Sequence, residues 1–469
     1  MTDLAQRVTA ARLTPELGVV AAAGVALPLA LLAARWPLAV GLGLAAVVVV
    51  AVCIFVIELA VLLVVASAPI EAAVTLGPPQ LTITKITGAI CFASFALYAV
   101  RGNRRLRFER GQAIVLGILA VALLSTAFAA DEVPTAFAAA TRYASFAGIY
   151  IVVSQLVGRH AAHRRIAWVL SIASTASAVL GMVEYFSSRQ PIATLAYENS
   201  NDFAFVIATT LPLTFWLLGC RRWLRPFVAQ MIGVQCAGIL LSLSRGALVG
   251  IAAGFFFLLL TDRRRIPHVL AGGLAAAVAA LLVIQSDPAR FHEAISLKQR
   301  VAEYNVTTRL DAWRVAGELA VDHPLLGIGP GNFQFEYPRI AGIPPGTHAV
   351  AVAHDAYLDI AAELGVVAMI LFLLYIALAF GRLTAAARLG LGLPGYAQAL
   401  RVSLVIAAFC SVFLSEQYFL PFWLIGGLAA AISLERGEER AGNTSAEPDE
   451  EARGRPSPPP LRPRLVRGS

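Results

Sequence analysis

The chain is poor in charge. Only 14% of its 469 residues are Asp, Glu, Lys or Arg, against about 25% in soluble domains. With 58% hydrophobic residues and a mean hydropathy of +0.73, that scarcity excludes a soluble globular fold. The apolar runs also lack the alternation that a membrane barrel requires, so helices are the spanning structure expected. Cysteine is scarce as well. Cys53, Cys91, Cys220, Cys236 and Cys410 lie in or beside apolar runs with no paired spacing, which reads as packing rather than a disulfide framework or a metal site.

Runs such as Gly18–Ala34, Leu38–Val65, Ala113–Ala130 and Leu364–Phe380 are long enough for spans, which need about 20 mostly apolar residues each. Arg7 and Arg12 before the first run imitate a secretion signal, but no small-residue cleavage site closes it, so a retained span is expected. The +8 formal charge is concentrated in short turns, which favours a membrane-orientation reading over nucleic-acid binding. Basic turns recur at Arg101–Arg110, Arg159–Arg165, Arg221–Arg225, Asp262–Arg265 and Gly381–Arg388. They alternate with Pro69–Gln80, Asp131–Pro134, Ser187–Asp202, Ser242–Gly246, a long polar stretch and Ser415–Tyr418. The first set is expected in the cytoplasm and the second outside.

The expected fold is an all-α, polytopic membrane bundle of about 12–14 transmembrane helices. Its organisation reads as a bundle over residues 1–285, an external loop over 286–353, further spans over 354–434 and a disordered cytoplasmic tail over 435–469. The external loop should contain short amphipathic helices. One begins at the capping residues Thr307-Thr308 and gathers Leu310, Trp313 and Leu319 on one side, ready to lie on the membrane surface or across the bundle mouth. Pro324 and the glycines Gly327, Gly329 and Gly331 end it. No strand precedes these glycines, so they read as a turn needing positive φ rather than a nucleotide loop.

Polar residues that carry chemistry gather on the outer side. Arg245, in Ser242-Leu243-Ser244-Arg245-Gly246-Ala247, stands where positive charge is disfavoured, and Gly246 is expected to bend the backbone and aim the guanidinium into a cavity. Its planar fork matches phosphate oxygens. Arg189, just beyond another span, and Arg142, one or two turns inside the span starting near Pro134, approach the same leaflet. His354 lies at the mouth of a span with His348 as its one rival; alone, such a histidine is either structural or a proton-transfer group. Glu416 and Tyr418 are candidate supporting residues, and Glu58 reads as the one intramembrane acid, pairing helix to helix. No His-x-x-x-His or Asp-x-Asp on the outer face suggests a metal. A transporter, the rival class, should show paired ionisable residues or broken helices near mid-membrane.

Taken in order, Asn199–Leu213, Ser242–Ala247, Arg309–Phe333 and His354–Gly365 resemble the O-antigen ligase/polymerase superfamily of bacterial envelope glycosyltransferases, over roughly Gly181 to Tyr375. The resemblance implies a fold similar to the GT-C glycosyltransferases. It implies transfer of a glycan from undecaprenyl diphosphate to an acceptor hydroxyl on the outer side of the bacterial inner membrane, with inversion and without a metal, nucleotide sugar or other cofactor. His354 would take the acceptor's proton, with Arg189 and Arg245 clamping the diphosphate and Arg142 and Arg309 assisting. The family has His-Asn where this chain has His354-Asp355, and a carboxylate there is expected to act on the imidazole's pKa. The acceptor favoured by the motif spacing is lipid A-core; polymerisation of repeat units or transfer to protein hydroxyls are the alternatives within the family. The expected partners are the lipid-linked glycan, the acceptor and the bilayer, with no nucleic acid.

Overall fold

A computed structural model describes residues 47–73, 83–101, 107–156, 159–187, 200–262, 266–343 and 352–435. Among these residues every element is helical, with no strand. The chain divides into two compact units. The first comprises residues 1–60 and 89–103, where Cys53 and Cys91 are buried and Arg101 lies 4.8 Å from the centre of the Phe55 ring. The second comprises residues 61–88 and 104–469 and carries every site discussed below.

The helices in chain order are α1 (Ile57–Ser67), α2 (Ile83–Arg101), α3 (Arg110–Phe128), α4 (Val133–Ser154), α5 (His160–Ser187), α6 (Ser200–Leu217) and α7 (Arg225–Leu241). Then follow α8 (Arg245–Thr261), α9 (Ile266–Ser286), α10 (Pro288–Asp322), α11 (Phe333–Ile340), α12 (Ala356–Leu389), α13 (Tyr396–Cys410) and α14 (Leu420–Glu435). Six helices among the described residues are long and apolar enough to cross a membrane, and four shorter apolar ones accompany them. This is a polytopic helical membrane protein.

In lipid, apolar surface gives no net drive to join helices, so polar bonds and close packing hold the bundle. Gln235 of α7 donates to the Ser171 carbonyl at 3.1 Å and to Thr175 Oγ1 at 3.0 Å on α5, while Thr214 of α6 donates to Gln235 Oε1 at 3.1 Å. One glutamine thereby ties three helices. Glycines let other pairs approach closely: a Cβ on Gly250 of α8 would stand 2.3 Å from Cys410 Sγ of α13.

Of the expected basic turns, Arg221–Arg225 falls between helices, whereas Arg159–Arg165 lies largely in the first turns of α5, which starts at His160. Residues 102–106 and 263–265 of two others lie outside the described residues. The turn expected at Gly381–Arg388 is helical: α12 continues through Leu389, and the chain turns at Gly390–Gly395, where Gly390, Gly392 and Gly395 all have positive φ. The helix expected to start at Thr307 begins instead at Pro288, where the Asp287 carboxylate accepts from the Arg290 N–H at 3.0 Å. Proline at the first turn behind an aspartate cap is the stronger start signal. The buried face also differs. It runs through Ala312, Val315, Ala316 and Leu319, with Trp313 at its edge, and Leu310 is exposed. Ala312, Val315 and Ala316 give this face a small-residue surface, with Leu319 buried beside them.

Candidate active site

The site lies where α12 begins. Asp355 caps the helix, its carboxylate accepting from the N–H groups of Tyr357 at 2.9 Å and Leu358 at 3.0 Å. The residue before it, His354, has φ +57°, a left-handed conformation uncommon outside glycine. Such strain persists only where neighbours over-determine it. Here they do. On one side the Ala353 N–H donates to Asp359 Oδ1 at 2.7 Å. On the other, the Ala356 N–H is shared between the carbonyls of Ser411 at 2.9 Å and Leu414 at 3.1 Å.

The turn after α13, residues 411–418, is the hub. Arg309 of α10 donates to the Phe413 carbonyl at 3.2 Å. Gly246, next to Arg245, packs against Phe413 and Leu414, where a Cβ would meet Leu414 at 3.4 Å. Arg142 of α4 stands 5.6 Å from the centre of the Tyr418 ring. His354, Arg309, Arg142 and the Arg245 turn are thus brought to one segment. Arg142 and Arg245 are exposed, and among the described residues no carboxylate pairs with either. Arg189 and His348 fall outside the described residues, as does most of the Ser187–Asp202 turn.

Burial holds the His354 pKa down to about 4, and the Arg309 guanidinium adds to the effect. The imidazole is therefore neutral at pH 7, with a lone pair to accept a proton. The carboxylate of Asp355, expected to act on that imidazole, is committed to the α12 cap instead, so burial and Arg309 set the basicity. The bend expected at Gly246 falls at Leu243, which has φ +51°. Gly246 is helical and lies in van der Waals reach of the hub turn. The two serines of that motif build the turn: Ser242 Oγ accepts from the Ser244 N–H at 3.2 Å, and Ser244 Oγ caps α8 at the Ala247 N–H.

Two residues of α12 were not singled out by the sequence. Asp359 and Glu363 are 1% and 3% exposed and stand one turn apart. Asp359 is hydrogen-bonded to Ser415 as well as to Ala353. Glu363 accepts from the Tyr418 hydroxyl at 3.1 Å and the Phe333 N–H at 3.4 Å. One acid ties the His354 segment to the hub; the other ties the hub to the glycine turn. Glu58 is therefore not alone as an acid within an apolar helix. The readable signal was an i, i+4 pair of acids in an apolar run, which is costly unless it has a purpose.

The glycine turn completes the floor. Gly365, with φ +85° and ψ +167°, breaks α12 and frees carbonyls that the helix would have satisfied. The turn takes them up: Ile328 N–H donates to Ala362 O and Gly329 N–H to Glu363 O, both at 3.0 Å. In return Val366 N–H donates to Pro324 O at 2.8 Å. Irregular backbone inside a membrane protein must be satisfied in this way. Gly327, Gly329 and Gly331 all have positive φ, as the sequence predicts for a turn. Among the described residues, no three His, Cys, Asp or Glu side chains gather as the ligands of a metal would.

The fold and site define a helical membrane protein with a cationic, histidine-bearing cluster at one end of its bundle. Residues 230–373 match the family described as O-antigen ligase, and that match supports the resemblance to the O-antigen ligase/polymerase superfamily. The matched family is one of ligase-type glycosyltransferases, which supports an enzyme of that type. The matched segment contains Arg245, Arg309, His354, Asp359 and Glu363, and leaves out Arg142 and the hub turn. No curated protein matches the chain.

Proposed function

We propose that this protein transfers a glycan from undecaprenyl diphosphate to a hydroxyl of lipid A-core at the outer face of the bacterial inner membrane. The observation that carries the reading is a neutral His354 fixed in a strained turn beside Arg309, on the segment that also receives Arg142 and the Arg245 turn. The acceptor oxygen attacks the anomeric carbon as the carbon–oxygen bond to the diphosphate breaks. The electron pair of that bond leaves with the polyprenyl diphosphate, and the hydroxyl proton passes to His354. One displacement inverts the anomeric centre.

Charge develops on the departing diphosphate, and fixed cations placed there stabilise the transition state more than the ground state. Arg245 and Arg189 are the proposed clamp, with Arg142 and Arg309 at its edges. A dianionic group beside Arg309 would also offset the charge that depresses the His354 pKa, so donor binding would make the base stronger when it is needed. The polyprenyl chain stays in lipid throughout.

The test is complementation of a strain lacking its own ligase, at matched expression, with glycan-bearing acceptor resolved on gels. Wild type should restore the ladder, while His354→Ala and Arg245→Ala should abolish it and leave the lipid-linked glycan to accumulate. A wild-type chain that restores no ligation but alters glycan chain length would replace the ligase reading with the polymerase.

A further inference from the structure

The opposite end of α12 carries a second assembly that the transfer reaction does not use. An open groove of about 660 Å³ runs between α6, α8 and α13, walled by Leu211, Phe215, Ile251, Phe255, Val402 and Ile406. Arg164 and Arg225 stand on it. The groove adjoins a polar chamber of about 540 Å³, the two sharing Leu393, Pro394 and Gln398. Into that chamber face Arg388 and Arg401.

Arg401 is unusual for its place. It is 9% exposed, its guanidinium lies 4.9 Å from the Phe257 ring centre and 5.3 Å from that of Phe380, and its Nη1 donates to Gln398 Oε1 at 2.7 Å. Its Nε, fully buried, has no partner among the described residues. Arg388 is near enough for the two positive charges to repel. Asp262 lines the chamber too and has a partner of its own. Two guanidiniums lining one chamber, one of them with an unused donor, suit an anion of phosphate type.

The groove says what the anion is attached to. An apolar groove between membrane helices that meets a chamber lined by two arginines fits an acyl chain with a charged head. We propose that groove and chamber together bind an anionic phospholipid of the bilayer, one acyl chain in the groove and the headgroup phosphate on Arg388 and Arg401. Basic pockets between membrane helices select anionic headgroups on charge alone. The lipid would bridge α6, α8, α12 and α13, the helices that also carry the hub turn and the start of α12.

The experiment uses the full chain, delipidated in a neutral detergent. Binding of phosphatidylglycerol, phosphatidylcholine and inorganic phosphate is measured by native mass spectrometry and thermal shift. Phosphatidylglycerol should bind and raise the melting temperature, and neither phosphatidylcholine nor phosphate alone should match it. Arg401→Gln and Arg388→Gln should each weaken phosphatidylglycerol binding about tenfold or more, as loss of a charged hydrogen bond does. Arg388 is exposed, so its variant keeps the test open should Arg401→Gln fold poorly. Ile251→Trp fills the groove without removing charge and should also weaken binding. Equal binding of the two lipids, or unchanged binding in Arg388→Gln and Ile251→Trp, overturns the proposal. Phosphate acting as well as the lipid overturns it in favour of a free-anion site.

Discussion

At the residue scale the account turns on a histidine made a weak base on purpose. With the His354 pKa held at about 4, the imidazole stays deprotonated as pH falls from 7, and protonates only as pH approaches that value. The acid limb of kcat/KM, which reports the free enzyme, should therefore lie well below the ordinary histidine value of about 6.5. Arg309→Gln removes one of the two causes of the depression and should move the limb upward; an unmoved limb would mean that Arg309 does not act on His354. Stability follows the same sign. The unfolded chain takes up the proton first as pH drops through 6.5, so folding weakens from there toward 4. Asp359 and Glu363 act on the site through other groups. Glu363→Gln keeps an acceptor for Tyr418 and Phe333 and should lower kcat mildly, while Glu363→Ala leaves both donors stranded at about 1–3 kcal/mol and should lower it strongly with KM little changed. These two acids went unremarked in the sequence because composition flags acids in apolar runs without saying which backbone they hold.

At the element scale the broken α12 and the glycine turn form one unit, each supplying what the other lacks. A Cβ on Gly327 would stand 2.3 Å from the Glu363 carbonyl carbon, and one on Gly365 would stand 2.6 Å from that of Leu325. Both glycines also have positive φ. Gly327→Ala or Gly365→Ala should each cost more than about 1 kcal/mol and show as an early unfolding step in thermal scans of the purified chain. A second element-scale lock sits at the basic end. Glu109, the cap of α3, is ion-paired with Arg382 of α12 and accepts from the Tyr150 hydroxyl of α4 at 2.6 Å. Removing either ion alone strands the other and should cost about 3–5 kcal/mol; Glu109→Gln with Arg382→Met together should cost far less, a non-additivity that thermal melts of the four chains would read. The glycine turn was legible from composition and spacing. Its docking on α12 was not, because nothing local in either segment says that Gly365 opens the helix to receive it.

At the scale of the whole molecule, the apolar runs and basic turns foretold a membrane bundle of helices, and the described residues form one. The sidedness of arginines in different hairpins pointed to a common end, and the structure brings Arg142 and the Arg245 turn to one segment, the hub turn at residues 411–418, while Arg189 lies outside the described residues. That segment is short and carries no motif, so sequence offered only Tyr418 and Glu416 as supporting residues. The start of α10 lies at Pro288 rather than Thr307, and of its expected inner face Leu310 is exposed while Leu319 is buried beside Ala312, Val315 and Ala316, small residues that draw less attention in a sequence.

The most direct measurement is a single-turnover reaction of the purified chain with a defined polyprenyl diphosphate-linked glycan and lipid A-core, comparing wild type with His354→Ala and following both the released polyprenyl diphosphate and the anomeric configuration of the product. The account predicts inverted product with one diphosphate released per bond formed, and a rate about 10²–10⁴-fold lower without the histidine. Retained configuration, or full transfer by His354→Ala, would contradict it.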